Sequence, residues 1–333
     1  MKVLIIRFSS IGDIVLTTPV VRTLAKQKNA EIHYLTKKGF KNILDPNPNI
    51  TRVWTFEKDV SEIIPDLKKE NFDHVVDLHN NLRSRIVKSK LRKPSSSFNK
   101  LNFKKWLLVN LKIDRMPQVH IVDRYLETVQ SLGVKNDFEG LDYFFDKPEE
   151  EIAKSVHSKL PQLKTDLPFV AFAIGAAHQT KRIPIHRCKE IIGGVKIPVV
   201  LLGGPSEATE GEEIAAGQHH VLNSCGKLSL SESAWLIKKA WKVISPDTGM
   251  MHVAAAFNKD LISVWGNTVP EFGMTPYFRK SANPDHDLFE VKNLSCRPCS
   301  KIGYKSCPKG HFKCMEQLPY DEIVASIQKG YTG

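Results

Sequence analysis

The feature that most constrains this chain is an alternation of short aliphatic runs with turns and amphipathic stretches. Lys2–Phe8, Ile32–Thr36, Arg52–Phe56 and His74–Leu78 read as strands. Helical patterns cover Asp13–Gln27, kinked or restarted at Pro19, and Val60–Lys69. A helix over Val122–Leu132 stops at Gly133, the residue type that accepts a left-handed turn past a helix end. The second half repeats the scheme, with strands at Pro168–Ile174, Pro198–Leu202, Val221–Asn223, Lys242–Ser245 and Leu261–Trp265. Helices near Ile185–Ile192, Glu207–Ala216, Ser229–Ala240 and Thr248–Phe257 separate them. Strands alternating with helices imply parallel sheets covered on both faces. Two such series in 333 residues, joined near Glu149–Leu167, predict an α/β protein of two Rossmann-like domains. Ligands of such sheets sit beyond the carboxyl ends of the strands, which directs attention to the strand-to-helix loops.

A chain with 41% apolar and 25% charged residues is neither disordered nor collagen-like. No run approaches the roughly 18 apolar residues of a membrane span. The opening Met1–Arg7 is too short and too quickly polar for a signal peptide, so a cytoplasmic location is expected. The formal charge of +12 is concentrated: Arg83 to Lys105 contains nine cations and no carboxylate, with Phe98, Phe103 and Trp106 interleaved or adjacent. Arg83, Arg85, Lys88 and Lys90 are candidates to meet an anionic partner, whether nucleic acid, a phosphorylated acceptor or a membrane surface. A solvated basic face is the plainer account of the same residues.

Four loops carry candidate chemistry. Ser9-Ser10-Ile11-Gly12-Asp13 follows the first strand. Gly12 permits a tight turn, and Asp13 is either a helix cap or a general base at the strand edge. Gly175–Pro184 follows the first strand of the second half, with small residues for backbone approach and Lys181 and Arg182 for phosphate charge. Gly203-Gly204-Pro205-Ser206-Glu207 ends another strand; Glu207 caps the next helix or holds a ribose. Asp247-Thr248-Gly249 opens a helix whose free N–H groups suit an anion, with Asp247 as a simple cap the competing account. Neither G-x-G-x-x-G nor a P-loop occurs.

Taken in this order, the loops resemble glycosyltransferase family 9, the heptosyltransferases of lipopolysaccharide core assembly. The matching pieces are Arg7–Pro19, Gly175–Pro184, Gly203–Glu207 and Gly226–Ala256. The resemblance implies a GT-B architecture: two Rossmann-like domains, with parallel sheets facing a central cleft. Residues 1–160 would form the acceptor domain, joined by a returning helix at 319–330, and 161–318 the donor domain. It implies inverting transfer from an ADP-sugar to an anionic glycolipid at the inner leaflet of the cytoplasmic membrane, with no cofactor required for catalysis. Asp13 would then be the base, with Ser9, Ser10, Gly12 and Asp247 near acceptor or sugar. Thr180, Lys181, Glu207, Leu228, Thr248 and Gly249 would hold the nucleotide.

Cys296, Cys299, Cys307 and Cys314 open with a C-x-x-C pair and enclose His311, a candidate set for structural zinc. The second pair lacks that spacing, and reduced packing thiols explain it equally. Two other function classes remain open. One is a basic nucleic-acid-binding protein with a cysteine-rich zinc site, although no nucleic-acid module accompanies it. The other is a Rossmann-fold nucleotide-sugar-modifying enzyme, which the missing glycine fingerprint disfavours.

Overall fold

A computed structural model describes residues 1–331, which fall into two compact units. The first takes residues 1–102, 118–146 and 277–281; the second takes 103–117, 147–276 and those from 282 onward.

The first unit holds a five-stranded parallel sheet: β1 (Lys2–Ile6), β2 (Glu31–Lys37), β3 (Arg52–Phe56), β4 (His74–Asp77) and β5 (Ser95–Ser97). Its order is β3-β2-β1-β4-β5, so the chain winds outward from β1 and then returns to lay β4 on its other side. Ile6 pairs with Leu35 on one flank and Asp77 on the other. β1 is a nearly unbroken aliphatic run because both sheet faces are covered; Leu4, Ile6 and Phe8 join Leu35, Phe56 and Val75 in the core. The three serines of β5 occupy an edge, where weak strand formers are tolerated.

The second unit holds six parallel strands: β6 (Val170–Ala173), β7 (Val199–Leu202), β8 (Val221–Asn223), β9 (Lys242–Pro246), β10 (Leu261–Trp265) and β11 (His286–Glu290), ordered β11-β10-β9-β6-β7-β8. Here the winding reverses between β6 and β9, as it does between β1 and β4 in the first unit. Each reversal splays two strand-end loops apart and opens a crevice between them.

Several expectations need correction. The first helix is two, Ile11–Val15 and Thr18–Lys28, with Pro19 in the opening turn of the second, where its missing N–H costs nothing. The presumed linker contains a helix, Glu149–Lys159, which packs against helix Leu230–Lys239 of the second unit. Its three leading glutamates suit the positive end of the helix dipole. Residues 147–160 therefore belong to the second unit, not the first, and so does 103–117. The final helix, Tyr320–Gln328, does not join the first unit as expected. Its apolar face, Tyr320, Ile323 and Ile327, is buried in the second unit's core with Ile191 and Cys188. β11 was not foreseen, because its polar sequence His-Asp-Leu-Phe-Glu is half-buried throughout. Among the described residues, no helix is long and apolar enough to cross a membrane.

Candidate active site

In the first unit the crevice is organised by Arg7, which leaves β1 at its carboxyl end. Its Nε donates to the Ser9 carbonyl at 2.8 Å, and Nη1 donates to the Leu78 carbonyl at 2.8 Å and the Tyr125 hydroxyl at 3.0 Å. Nη2 pairs with Asp13 Oδ1 at 2.6 Å. One guanidinium thus joins the ends of β1 and β4 to helix Ile121–Glu127 and fixes the carboxylate. The other oxygen, Oδ2, accepts from Ser10 N at 3.1 Å and from Ser10 Oγ at 2.9 Å. The cap of helix Ile11–Val15 is thus Ser10, not Asp13; Asp13 is the third helical residue and closes the capping box with one oxygen only, while its side chain stays 21% exposed. Burial opposes its charge, yet Arg7 and the two Ser10 donors outweigh burial and hold the carboxyl below its ordinary range.

Beside it, Phe8 packs on Phe56 and His79 with ring centroids 5.0 and 4.8 Å apart. Burial, then the charges of Arg7 and Lys100, push His79 down to about 4, so it is neutral at physiological pH. At the end of β4, fully buried Asp77 accepts from His79 N, Asn80 N and Ser84 Oγ, and pairs with Lys88 Nζ at 3.0 Å. Helix Leu82–Leu91 consequently shows Arg83, Arg85 and Lys90 to solvent, while Lys88 turns inward to neutralise Asp77.

In the second unit the β6 loop and the β9 loop meet in one ion pair. Lys181 Nζ lies 2.6 Å from Asp247 Oδ2 and donates to the Asp247 carbonyl at 3.1 Å. Thr268 Oγ1 donates to the same Oδ2 at 2.7 Å. Asp247 is thus not the cap it resembled in sequence. Thr248 takes the cap position of helix Gly249–Ala256 with extended backbone, but its side chain makes no cap bond, and its Oγ1 lies 3.2 Å from Ser245 Oγ. The first-turn N–H groups of that helix stand at the positive dipole end, next to the Lys181 loop.

Glu207 is buried and structural in its bonding: Oε2 accepts from Gly204 N at 2.8 Å, and Oε1 from Ser206 Oγ and Arg182 Nη2 at 2.7 and 2.5 Å. Gly175 and Gly203 are required beside it, since a Cβ at either would lie within 2.9 Å of its side chain. Leu228 is half-buried just ahead of helix Leu230–Lys239. Thr180 is buried, with Oγ1 accepting from Tyr304 N at 2.8 Å and its own N–H donating to the Tyr304 carbonyl at 3.2 Å. The hydroxyl expected to reach phosphate clamps the β6 loop to the cysteine segment.

That segment supports the site a second way. Arg297, between Cys296 and Pro298, donates to the carbonyls of Gly266 and Thr268 at 2.6 and 2.8 Å and pairs with Glu290 at 2.7 Å. Arg297 thus holds Thr268, Thr268 bonds Asp247, and Asp247 holds Lys181. Arg7, Thr268, Arg297 and Tyr304 were not singled out from sequence; Arg297 had only its place inside the C-x-x-C as a signal.

All six cysteines are free thiols. Burial, then neighbouring Cys296 and Cys307, raise the Cys299 thiol, and burial pushes Cys314 up to about 12. Cys296 Sγ is 3.8 Å from His311 Nε2. Yet no three of these ligand atoms lie within 4.8 Å of one another among the described residues. Ligands of a tetrahedral zinc are about 3.8 Å apart. The expected closed zinc site is therefore not formed by this arrangement. Glu31, His33 and Glu70 do bring three ligand atoms within 4.8 Å of one another. However, Trp54 Nε1 donates to His33 Nδ1 at 2.9 Å, which leaves the ring proton on Nε2, facing Glu31. Lys2 pairs with both glutamates, at 3.3 and 3.0 Å, so these groups satisfy one another.

Two Rossmann-like units of parallel strands, each with its loops gathered at a winding reversal, define the GT-B class of glycosyltransferase folds. Residues 60–304 match the profile of Glycosyltransferase family 9 (heptosyltransferase), and the chain belongs to that family. It is similar to lipopolysaccharide heptosyltransferase 1 of Campylobacter coli, 27% identical over 305 residues that cover 84% of this chain and 86% of the relative. The fold is shared with a family 9 glycosyl transferase from Veillonella parvula, at a TM-score of 0.79 and 20% identity over 98% of this chain and 96% of that one. It is shared also with the E. coli heptosyltransferase WaaC solved with ADP, at a TM-score of 0.68 and 22% identity over 99% of both chains. The chain is a glycosyltransferase. The nucleic-acid alternative finds no support in fold or family.

Proposed function

We propose that the protein transfers a heptose or related sugar from an ADP-sugar to a lipopolysaccharide-core or related glycolipid, with inversion. The acceptor is anionic and is met at the inner face of the cytoplasmic membrane. The observation that carries this reading is the pairing of Lys181 with the helix start at Thr248–Gly249, at the β6/β9 reversal. A cation and a helix N-terminus side by side suit a nucleoside diphosphate. The relatives' names supply the sugar, and the ADP-bound relative the nucleotide.

Asp13 takes the proton of the acceptor hydroxyl as that oxygen attacks the anomeric carbon. The bond from that carbon to the diphosphate breaks, and the ADP leaves with the negative charge that Lys181 and the helix start stabilise. Arg7 keeps Asp13 ionised and fixes its orientation. Arg83, Arg85 and Lys90 attract the anionic acceptor.

Thermal shift and calorimetry with ADP-, UDP- and GDP-sugars, followed by turnover of Asp13→Asn, test the reading. Preference for the ADP-sugar is expected, with a folded Asp13→Asn protein that binds donor but loses about 10²–10⁴-fold in rate. Near-normal turnover of Asp13→Asn would reduce Asp13 to a capping-box residue and remove the base.

A further inference from the structure

Four of the large exposed apolar side chains fall between Phe103 and Ile113: Phe103 at 71%, Trp106 at 51%, Leu111 at 53% and Ile113 at 45% exposure. Three of them belong to one element, helix Asn102–Trp106 continuing into a π-helix at Leu107–Leu111, and Ile113 follows two residues past its end. One side of this element is spoken for, since Leu108 packs with Val269 and Phe272 in a small core of the second unit. Lys112 pins its end, donating from Nζ to the carbonyls of Val109 and Pro298, each at 2.7 Å. The opposite side has no such burial. There the Phe103 and Trp106 rings stack, centroids 6.4 Å apart and 11° from parallel, with both largely in solvent.

Residues 103–117 carry four cations, Lys104, Lys105, Lys112 and Arg115, against a single carboxylate, Asp114. Lys112 turns to the Val109 and Pro298 carbonyls and Lys105 stands over the Phe272 ring at 5.6 Å, so Lys104 and Arg115 are the cations this stretch offers beside its exposed apolar side chains. Stacked aromatics and aliphatics rimmed by cations are the composition of an element that lies in the interface of an anionic bilayer. There the apolar side enters the acyl boundary, and the cations meet lipid phosphates. Exposed apolar side chains scattered singly are ordinary on a solvated surface, but here a stacked Trp-Phe pair and two aliphatic side chains fall within eleven residues.

We infer that the 103–113 stretch is a membrane anchor, which seats Phe103, Trp106 and Leu111 in an anionic leaflet. This rests on the glycolipid-acceptor reading above, and it names different residues from those that attract the acceptor's charge. The anchor lies in the second unit, whereas Arg83, Arg85 and Lys90 lie in the first.

The test is flotation of the full chain with vesicles of phosphatidylcholine plus phosphatidylglycerol, and with phosphatidylcholine alone. The wild type should bind the anionic vesicles. Phe103→Ser with Trp106→Ser should weaken that binding by about tenfold or more. Because both side chains are exposed, melting temperature and ADP affinity should be unchanged, as should turnover on a water-soluble, deacylated acceptor. Trp106→Phe should keep vesicle binding but lose the part of the tryptophan quenching that chain-brominated lipid causes in the wild type. Vesicle binding equal in wild type and double variant overturns the proposal. So does a wild-type dimer that the double variant dissolves without any vesicle binding, which would make the face a contact between copies. Failure of the transfer reading shows elsewhere, in Asp13→Asn turnover, and leaves the vesicle result standing.

Discussion

Arg7 and Asp13 form an ion pair at 2.6 Å, and the same guanidinium bonds three other groups around the loop. The base proposed for transfer is therefore held by a partner that lowers its proton affinity. The consequence is a carboxylate ionised well into the acid range, with strength as a base traded for constant readiness. The acid limb of kcat/KM against pH is expected below the ordinary Asp value of about 3.9. In Arg7→Gln the limb should move to higher pH, because burial is then opposed only by the two Ser10 donors. A limb at the same pH in a folded Arg7→Gln protein would show that Asp13 does not govern the rate.

Lys181→Ala should weaken ADP-sugar binding by about 1.5–3 kcal/mol, the range for a charge-assisted bond. Calorimetry reads this directly. The fold should hold, since Thr268 still donates to Asp247. Nucleotide affinity equal to wild type would take Lys181 out of the donor site.

Glu232 gives the second unit a defined acid sensitivity. It pairs with Lys159 at 2.7 Å, accepts from Ser155 Oγ at 2.5 Å and from Ser229 N at 2.6 Å. Burial resists its ionisation, but Lys159, Ser155 and Ser229 outweigh burial and bring it from 4.5 down to about 2. A carboxyl depressed in the fold stabilises above its unfolded value and loses that contribution as pH falls through the folded one. About 3 kcal/mol should therefore disappear between pH ~4.5 and ~2. Urea melts of wild type and Glu232→Gln should differ at neutral pH and converge in acid. A constant difference across that window would refute the assignment.

The basic helix yields a selective prediction. Replacing Arg83, Arg85 and Lys90 with Gln should lower affinity for an anionic acceptor and flatten its salt dependence, while ADP affinity stays the same. Lys88 is excluded, because removing it would leave the buried Asp77 carboxylate without its cation. Its loss should appear as a lower melting temperature instead, as breaking a buried pair costs about 3–5 kcal/mol. Salt-independent acceptor binding by the wild type would make the helix only a solvated face.

What could be read from sequence was what lies close along the chain. The β-α alternation, the strand-end loops and the start of helix Gly249–Ala256 are signals of a few residues each. The structure's supports are long-range and carried no such signal. Arg7 reaches Leu78 and Tyr125, 71 and 118 positions away, and Thr180 meets Tyr304 across 124. Lys88 looked like its neighbours in a run of cations, and only the burial of Asp77 separates it from them. The last helix was assigned to the wrong unit because its apolar face is legible but the core that receives it is not.

The Lys181–Asp247 pair means that the cation assigned to phosphate in the proposed function already has an internal carboxylate beside it. On that proposal an arriving diphosphate competes with the carboxylate for the amine, so part of its attraction is offset. Such a resident rival trims affinity for every anion alike, stray phosphate included. A donor site of this kind is suited to a cycle in which letting go matters as much as holding on.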